Sequence, residues 1–206
     1  NNNLNTKTMK RINLIFMLLA TLTMSAQQVT EITYLDVPAT KIGKFVELHK
    51  TITNMSMGEE RTLQGQWVYR HWYGSGHSVV IRDIYSSVED AMMDDAFAVL
   101  GKNYEALSDE KKKEMDVVFE EWWSYFDGHT DEMRMNNPEK DFVGKENVNW
   151  DIPFVFVVGR YNSSGEWREM ADAFMDWTTR PAVANGLQLG GGVTMHYKGS
   201  GHEVEF

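Results

Sequence analysis

The chain alternates between two hydrophobic periods. Over 29–37 the packing residues Ile32, Tyr34 and Leu35 sit among polar neighbours and predict a strand. Ile42, Phe45, Val46, His49 and Ile52 then recur at helical spacing, predicting a helix over 41–52. Residues 63–73, rich in Trp and Tyr, and 77–85 predict two strands around Gly74-Ser75-Gly76, a hairpin turn. Ser87 with Asp90 three residues on is a capping-box start. Met93, Phe97, Leu100 and Tyr104 give the helix after it a face. A second helix opens at Ser108, buries Met115, Val118, Phe119, Trp122 and Phe126, and stops at Gly128. Residues 129–135 predict a short strand.

A polar stretch with Pro138 separates this set from a second one. Residues 153–161 predict a strand. Trp167, Met170, Ala171, Phe174 and Trp177 predict a helix that ends before Pro181. Residues 186–198 and 202–206 predict two strands around Gly199-Ser200-Gly201.

The two sets match each other. His71-Trp72-Tyr73-Gly74-Ser75-Gly76-His77 and His196-Tyr197-Lys198-Gly199-Ser200-Gly201-His202 agree at five of seven positions, 125 residues apart. The same offset carries Ile42, Phe45, Val46, His49 and Ile52 onto Trp167, Met170, Ala171, Phe174 and Trp177, all apolar. It also carries Gly65 onto Gly190 and Val79 onto Val204. The order strand–helix–strand–strand–helix–strand is the split βαβ, or ferredoxin-like, unit. The fold expected is therefore α+β: two tandem ferredoxin-like units packed sheet to sheet. The second is predicted to stop short of its last helix and strand. The boundaries read 27–136 for the first unit, 137–150 for a linker and 151–206 for the second.

On this element order, the glycine-rich hairpin and its copy, the chain resembles the dimeric α/β-barrel superfamily. That group includes the antibiotic-biosynthesis monooxygenase-like and NIPSNAP-like domains. The resemblance implies a barrel in which the two units act as a pseudo-dimer within one monomer. It also implies cofactor-independent oxygenation as one activity to consider, but it supplies no catalytic motif.

Four of the six histidines lie in the two hairpins. With a three-residue turn, Tyr73 would face His77 and His71 would face Val79, making His71 and His77 diagonal neighbours on one face. Asp83 would lie on that face too, so Asp83 with His71 is the sharpest acid–base pair, with Arg70 and His77 beside it. The same histidines read more simply as turn residues bonded to backbone, since the hairpin glycines already explain the motif. His49, whose counterpart is Phe174, reads as a packing histidine. Trp67, Tyr69 and Tyr73 would line an apolar pocket if one is present, and otherwise belong to the core.

Composition narrows these readings. The chain of 206 residues carries 20 Lys+Arg against 30 Asp+Glu, the wrong sign for a general nucleic-acid binder. It has no cysteine, which excludes disulfides, thiol nucleophiles and cysteine-held zinc or iron–sulfur clusters. Gly-Ser-Gly joins two strands and opens no helix, so it is not a phosphate loop. No metal or cofactor is called for. Lys10 and Arg11, the apolar run 12–20 and the small residues before Gln27 read as a signal peptide over 9–26, behind an upstream leader over 1–8. Export to a periplasm or medium follows, with no membrane association after cleavage. Three functions stay open: an exported binder of a small apolar or aromatic molecule in a barrel pocket, a monooxygenase-like enzyme, and a structural or interaction module.

Overall fold

The computed structural model describes residues 27–144, 148–150 and 152–206. Residues 1–26, where a leader and a signal peptide are expected, lie outside them. The fold is α+β, built on one mostly antiparallel seven-stranded sheet. Its strands are β1 (Val29–Leu35), β2 (Gly65–Arg70), β3 (Val79–Tyr85), β4 (Thr130–Asn136), β6 (Arg160–Tyr161), β8 (Thr194–Gly199) and β9 (Val204–Glu205). They lie side by side in the order β2-β3-β1-β4-β8-β9-β6. The short strands β5 (Phe142–Val143) and β7 (Gly190–Gly191) pair separately, so part of the predicted linker is ordered structure.

Helices cover one face. They are α1 (Ile42–Met55), α2 (Val88–Met93), α3 (Ala96–Glu105) and α4 (Asp109–Trp123) in the first half, and α5 (Trp167–Phe174) and α6 (Arg180–Ala184) in the second. Ser87 accepts from the Asp90 amide, as the capping pattern predicts, and Asp95 accepts from Ala98, which breaks the expected single helix into α2 and α3. Phe45, Leu48 and Ile52 of α1 meet Leu35, Val79 and Ile81 of the sheet, with Leu100 and Trp122 closing the core. In the second half Ala171 and Met175 pack on Val193 and Val204. The expected stop before Pro181 is not observed. A five-residue π-helical turn, Met175–Thr179, passes directly into α6, and this widened turn accommodates the hydrogen bond that Pro181 cannot make.

Two expectations are corrected. The units do not face each other as two sheets, and no barrel closes: β4 pairs directly with β8, merging both halves into one sheet whose outer strands are β2 and β6. The first hairpin is also shifted by one residue. Arg70, not His71, lies opposite Val79, and the His71 amide donates to the Ser78 carbonyl at 2.9 Å. Gly74 and Gly76 both take positive φ (98° and 136°), so the reversal is a looser loop than three residues. A slip of one residue exchanges the faces of a strand. Asp83 consequently stands opposite Gln66 on the helix-covered face, while His71 follows the parity of Trp67 and Tyr69 on the other.

The uncovered face is concave. Arg82 of β3 donates to Glu205 of β9 at 2.6 Å. Those strands are four places apart in the sheet. At 4.7–4.9 Å per place a flat sheet would hold them about 19 Å apart, beyond the reach of the two side chains. Arg160 of β6 and Tyr34 of β1, again four places apart, are hydrogen-bonded as well. The sheet is therefore rolled about this face. Between Met133/Arg134 and β8 the register shifts by one residue, a bulge that adds local bend.

Arg134 anchors the roll. It has no exposed surface and donates to Glu132, Thr194 and the His202 carbonyl at 2.7–3.2 Å. Arg134→Ala should cost about 3–5 kcal/mol, because it strands a buried carboxylate and several carbonyls. Urea unfolding followed by tryptophan fluorescence measures this; a loss under 1 kcal/mol would show that the roll does not depend on Arg134.

Candidate functional site

The concave face holds a continuous hydrogen-bonded cluster. Glu205 receives Arg82 on one oxygen at 2.6 Å and Arg160 on the other at 3.0 Å. Arg160 also reaches the Tyr34 hydroxyl, which donates to Glu132 at 2.8 Å, and Glu132 accepts from Arg134 at 3.2 Å. These side chains come from β1, β3, β4, β6 and β9, and each lies on the inward parity of its strand. Burial alone would raise the Glu205 carboxyl, but Arg82 and Arg134 beside it hold it below the ordinary range. Tyr34 moves the other way: burial, then the Glu132 charge, raises its hydroxyl, which stays neutral.

At one end of the cluster the wall becomes aromatic. Of the strand expected over 153–161 only Arg160–Tyr161 forms; residues 152–159 before it are irregular, and their Phe154 and Phe156 meet β2. Trp67 meets Trp150 and Phe154 edge-on at 6.3 and 5.9 Å, and Tyr69 stacks on Phe156 at 5.0 Å. Phe156 lies over the Arg82 guanidinium, 5.0 Å from ring centroid to Cζ. Trp150 and Phe156 remain 41% and 46% exposed, so the rings border solvent and do not form a sealed core.

A second polar chain occupies the helix-covered face. Gln66 donates its amide to Asp83 at 2.8 Å and accepts from Thr53 at 3.0 Å. His49 Nδ1 accepts from the Trp122 indole at 3.1 Å, so its proton sits on Nε2 and is donated to Gln66 at 3.0 Å. Protonating Nδ1 would oppose the indole N–H. Burial lowers the His49 pKa in the same sense. Asp83 is pushed up to about 6, by burial first, against the opposing hydrogen bond from Gln66. Beside this chain an open cleft of about 180 Å³ is lined by Val46, His49, Lys50, Thr53, Gln66 and Val68.

The residues singled out from sequence are scattered across these places. Trp67 and Tyr69 join the aromatic wall. Tyr73 is 92% exposed at the hairpin tip and lines nothing. Arg70 is exposed at the end of β2. His77 sits 3.2 Å from Asp36 and against the Tyr34 ring. Asp83 and His71 are on opposite faces, so the acid–base pair expected between them is not formed. Among the described residues, no group of three or more His, Asp or Glu is placed to hold a metal ion. No helix among them is long and apolar enough to cross a membrane.

Sequence reasoning passed over Arg82, Glu132, Arg134, Arg160 and Glu205. Their signal was present: the pair Arg82-Asp83 inside the otherwise apolar run of 79–85, and charges two apart at 132 and 134 in a predicted strand. Isolated strand charges of this kind usually mean an exposed edge. Here they mean a buried inner face.

The chain matches no protein-family model, no curated protein and no solved structure.

The Asp83 chain makes a testable statement about pH. A carboxyl whose folded pKa lies above its unfolded value favours folding when protonated, and that contribution is lost as pH rises through the folded value. The window runs from about 4 to about 6 for Asp83. Asp83→Asn should therefore gain stability relative to the parent over that window, by about 2–3 kcal/mol, and the difference should be level above pH 7. Urea midpoints of both proteins between pH 4 and 8 check it. A constant difference across that range would refute the raised pKa.

Proposed function

We propose that this protein binds a small apolar or aromatic molecule on the concave face of its rolled sheet. The observation that supports this most directly is the ring wall of Trp67, Tyr69, Trp150, Phe154 and Phe156, which borders solvent on one side and a buried polar cluster on the other. Ligand sites commonly combine mostly aromatic walls with a few fixed polar groups, and this face has both. The rest of the concave face is already filled by its own ion pairs, so the ring wall is where a guest fits.

We also read the chain as two tandem ferredoxin-like units. The strand order β4-β1-β3-β2 in the first half supports this. So do the hairpins: Arg70↔Val79 and Met195↔Val204 share one register at the offset of 125, and His196 donates to Glu203 as His71 does to Ser78. Helices α1 and α5 begin at Ile42 and Trp167, the same offset apart. We further read the protein as exported. A mature N-terminus at Gln27, found by mass spectrometry after expression in a secreting host, would support export, and retention of 1–26 would refute it.

The binding reading is tested with 2-naphthamide, a neutral planar probe, titrated against the tryptophan fluorescence of the full chain. Saturable quenching is expected. Trp67→Ala should weaken binding about tenfold, the loss of one aromatic contact and its buried area. Trp72→Ala, at the exposed hairpin tip, should leave it unchanged. Absence of saturable binding would overturn the reading.

A further inference from the structure

We propose that the guest of the concave site is a planar aromatic monocarboxylate, its ring against Trp67, Tyr69 and Phe154 and its carboxylate on the Arg82 guanidinium. The proposal rests on the binding reading above and adds the charge and anchoring point of the ligand.

The first ground is charge. Among the described residues, the hydrogen-bonded cluster contains three guanidiniums, Arg82, Arg134 and Arg160, and two carboxylates, Glu132 and Glu205. Tyr34 joins it as a neutral hydroxyl. The exposures of these side chains are 0–8%, apart from Arg160 at 30%. With only Arg160 of this cluster reaching water, a surplus cation is costly, and a bound anion lowers the cost. The surplus is a single charge, which a monocarboxylate cancels and a phosphate dianion exceeds.

The second ground is a missing partner. Arg82 Nε is a buried donor that no described residue accepts. On the same guanidinium Nη2 is committed to Glu205 at 2.6 Å. A buried arginine N–H without an acceptor is rare and expensive. Carboxylate is the group whose paired oxygens match a guanidinium edge.

The third ground is the cover over that donor. It is the ring of Phe156, which lies over the guanidinium, is 46% exposed, and sits on a segment hydrogen-bonded to the sheet at Gly159 by two bonds with Phe206. An aromatic acid that displaces this ring keeps the stacking on Tyr69 and brings an acceptor to Nε. An aliphatic acid would bring the acceptor alone, and a neutral arene would bring the ring alone.

The experiment compares 2-naphthoate with 2-naphthamide, equal in shape and different in charge, by calorimetry on the full chain at pH 7. The naphthoate should bind about tenfold tighter or more, as a charge-assisted hydrogen bond to a buried donor requires. Arg82→Gln should remove that preference. Arg82→Lys keeps the ion pair with Glu205 but has no Nε–H, and should reduce the preference to a few-fold; it serves if the Gln variant does not fold, as near-UV circular dichroism would reveal. Equal affinities in the parent protein would overturn the monocarboxylate assignment and leave the binding reading standing. Binding of neither probe would overturn both. Tighter binding of 1-naphthyl phosphate than of 2-naphthoate would overturn the inference of a single compensating charge.

Discussion

The ion pair between Arg82 and Glu205 sets the shape of this molecule, because it joins strands that a flat sheet would keep about 19 Å apart. Its net worth in stability is modest. Two charges taken out of water regain in attraction roughly what they lose in hydration. What the pair contributes is geometry. Only a rolled sheet satisfies Glu205 on both oxygens, with Arg82 on one and Arg160 on the other. Any flatter arrangement would leave one of these groups buried and alone, or out in water with the roll undone. The β8 bulge and the fully buried Arg134 work toward the same end, since both draw the second hairpin inward over Glu132.

The two faces of the sheet consequently solve different problems. The helix-covered face is stabilised by apolar packing around Phe45, Ile52 and Ile81, with a satisfied polar chain, Asp83–Gln66–His49–Trp122, threaded through it. That chain fixes a tautomer and an amide orientation, and so discourages alternative packings of α1 on β2. The concave face has few apolar inward residues apart from Ile32 and the ring wall. It carries the charges instead. Period-two alternation keeps these worlds apart, and a one-residue slip in any strand would exchange them.

Much of the fold was legible in the sequence because it rests on local signals. The helix starts at Ser87 and Ser108 and the strands around two Gly-Ser-Gly turns all follow from short-range chemistry. What was not legible depends on pairing at long range. The turn of the first hairpin admits two registers, and nothing within 71–78 decides between them. The apolar packing of Val79, Ile81 and Tyr85 under the helices does. Pro181 misled for a similar reason: a local rule ends the helix there, yet the π-helical turn absorbs the missing hydrogen bond and lets Met175 stay buried. Trp67 and Tyr69 were identifiable from their residue type. Arg82 and Glu205 were not identifiable as a pair, since 123 residues separate them and only the roll brings them together.

The two hairpins show where backbone ends and chemistry begins. They share a register, a glycine pattern and a backbone hydrogen bond just before the turn. Their tips nevertheless have opposite fates. Trp72 and Tyr73 stand 78% and 92% exposed, with no neighbouring strand to receive them. The second hairpin lies beside β4, and its carbonyls at His202 and Glu203 accept from the buried Arg134. The difference comes from position in the sheet: β2 is an outer strand, whereas β8 is flanked by β4 and β9. An outer strand exposes one edge and its side chains to whatever lies alongside, here Trp150, Phe154 and Phe156. An inner strand is committed on both edges. The same local structure therefore serves as scaffold in the second half and as a wall open to solvent in the first, which is why the ring wall and the buried donor of Arg82 meet at β2 and have no counterpart at β8.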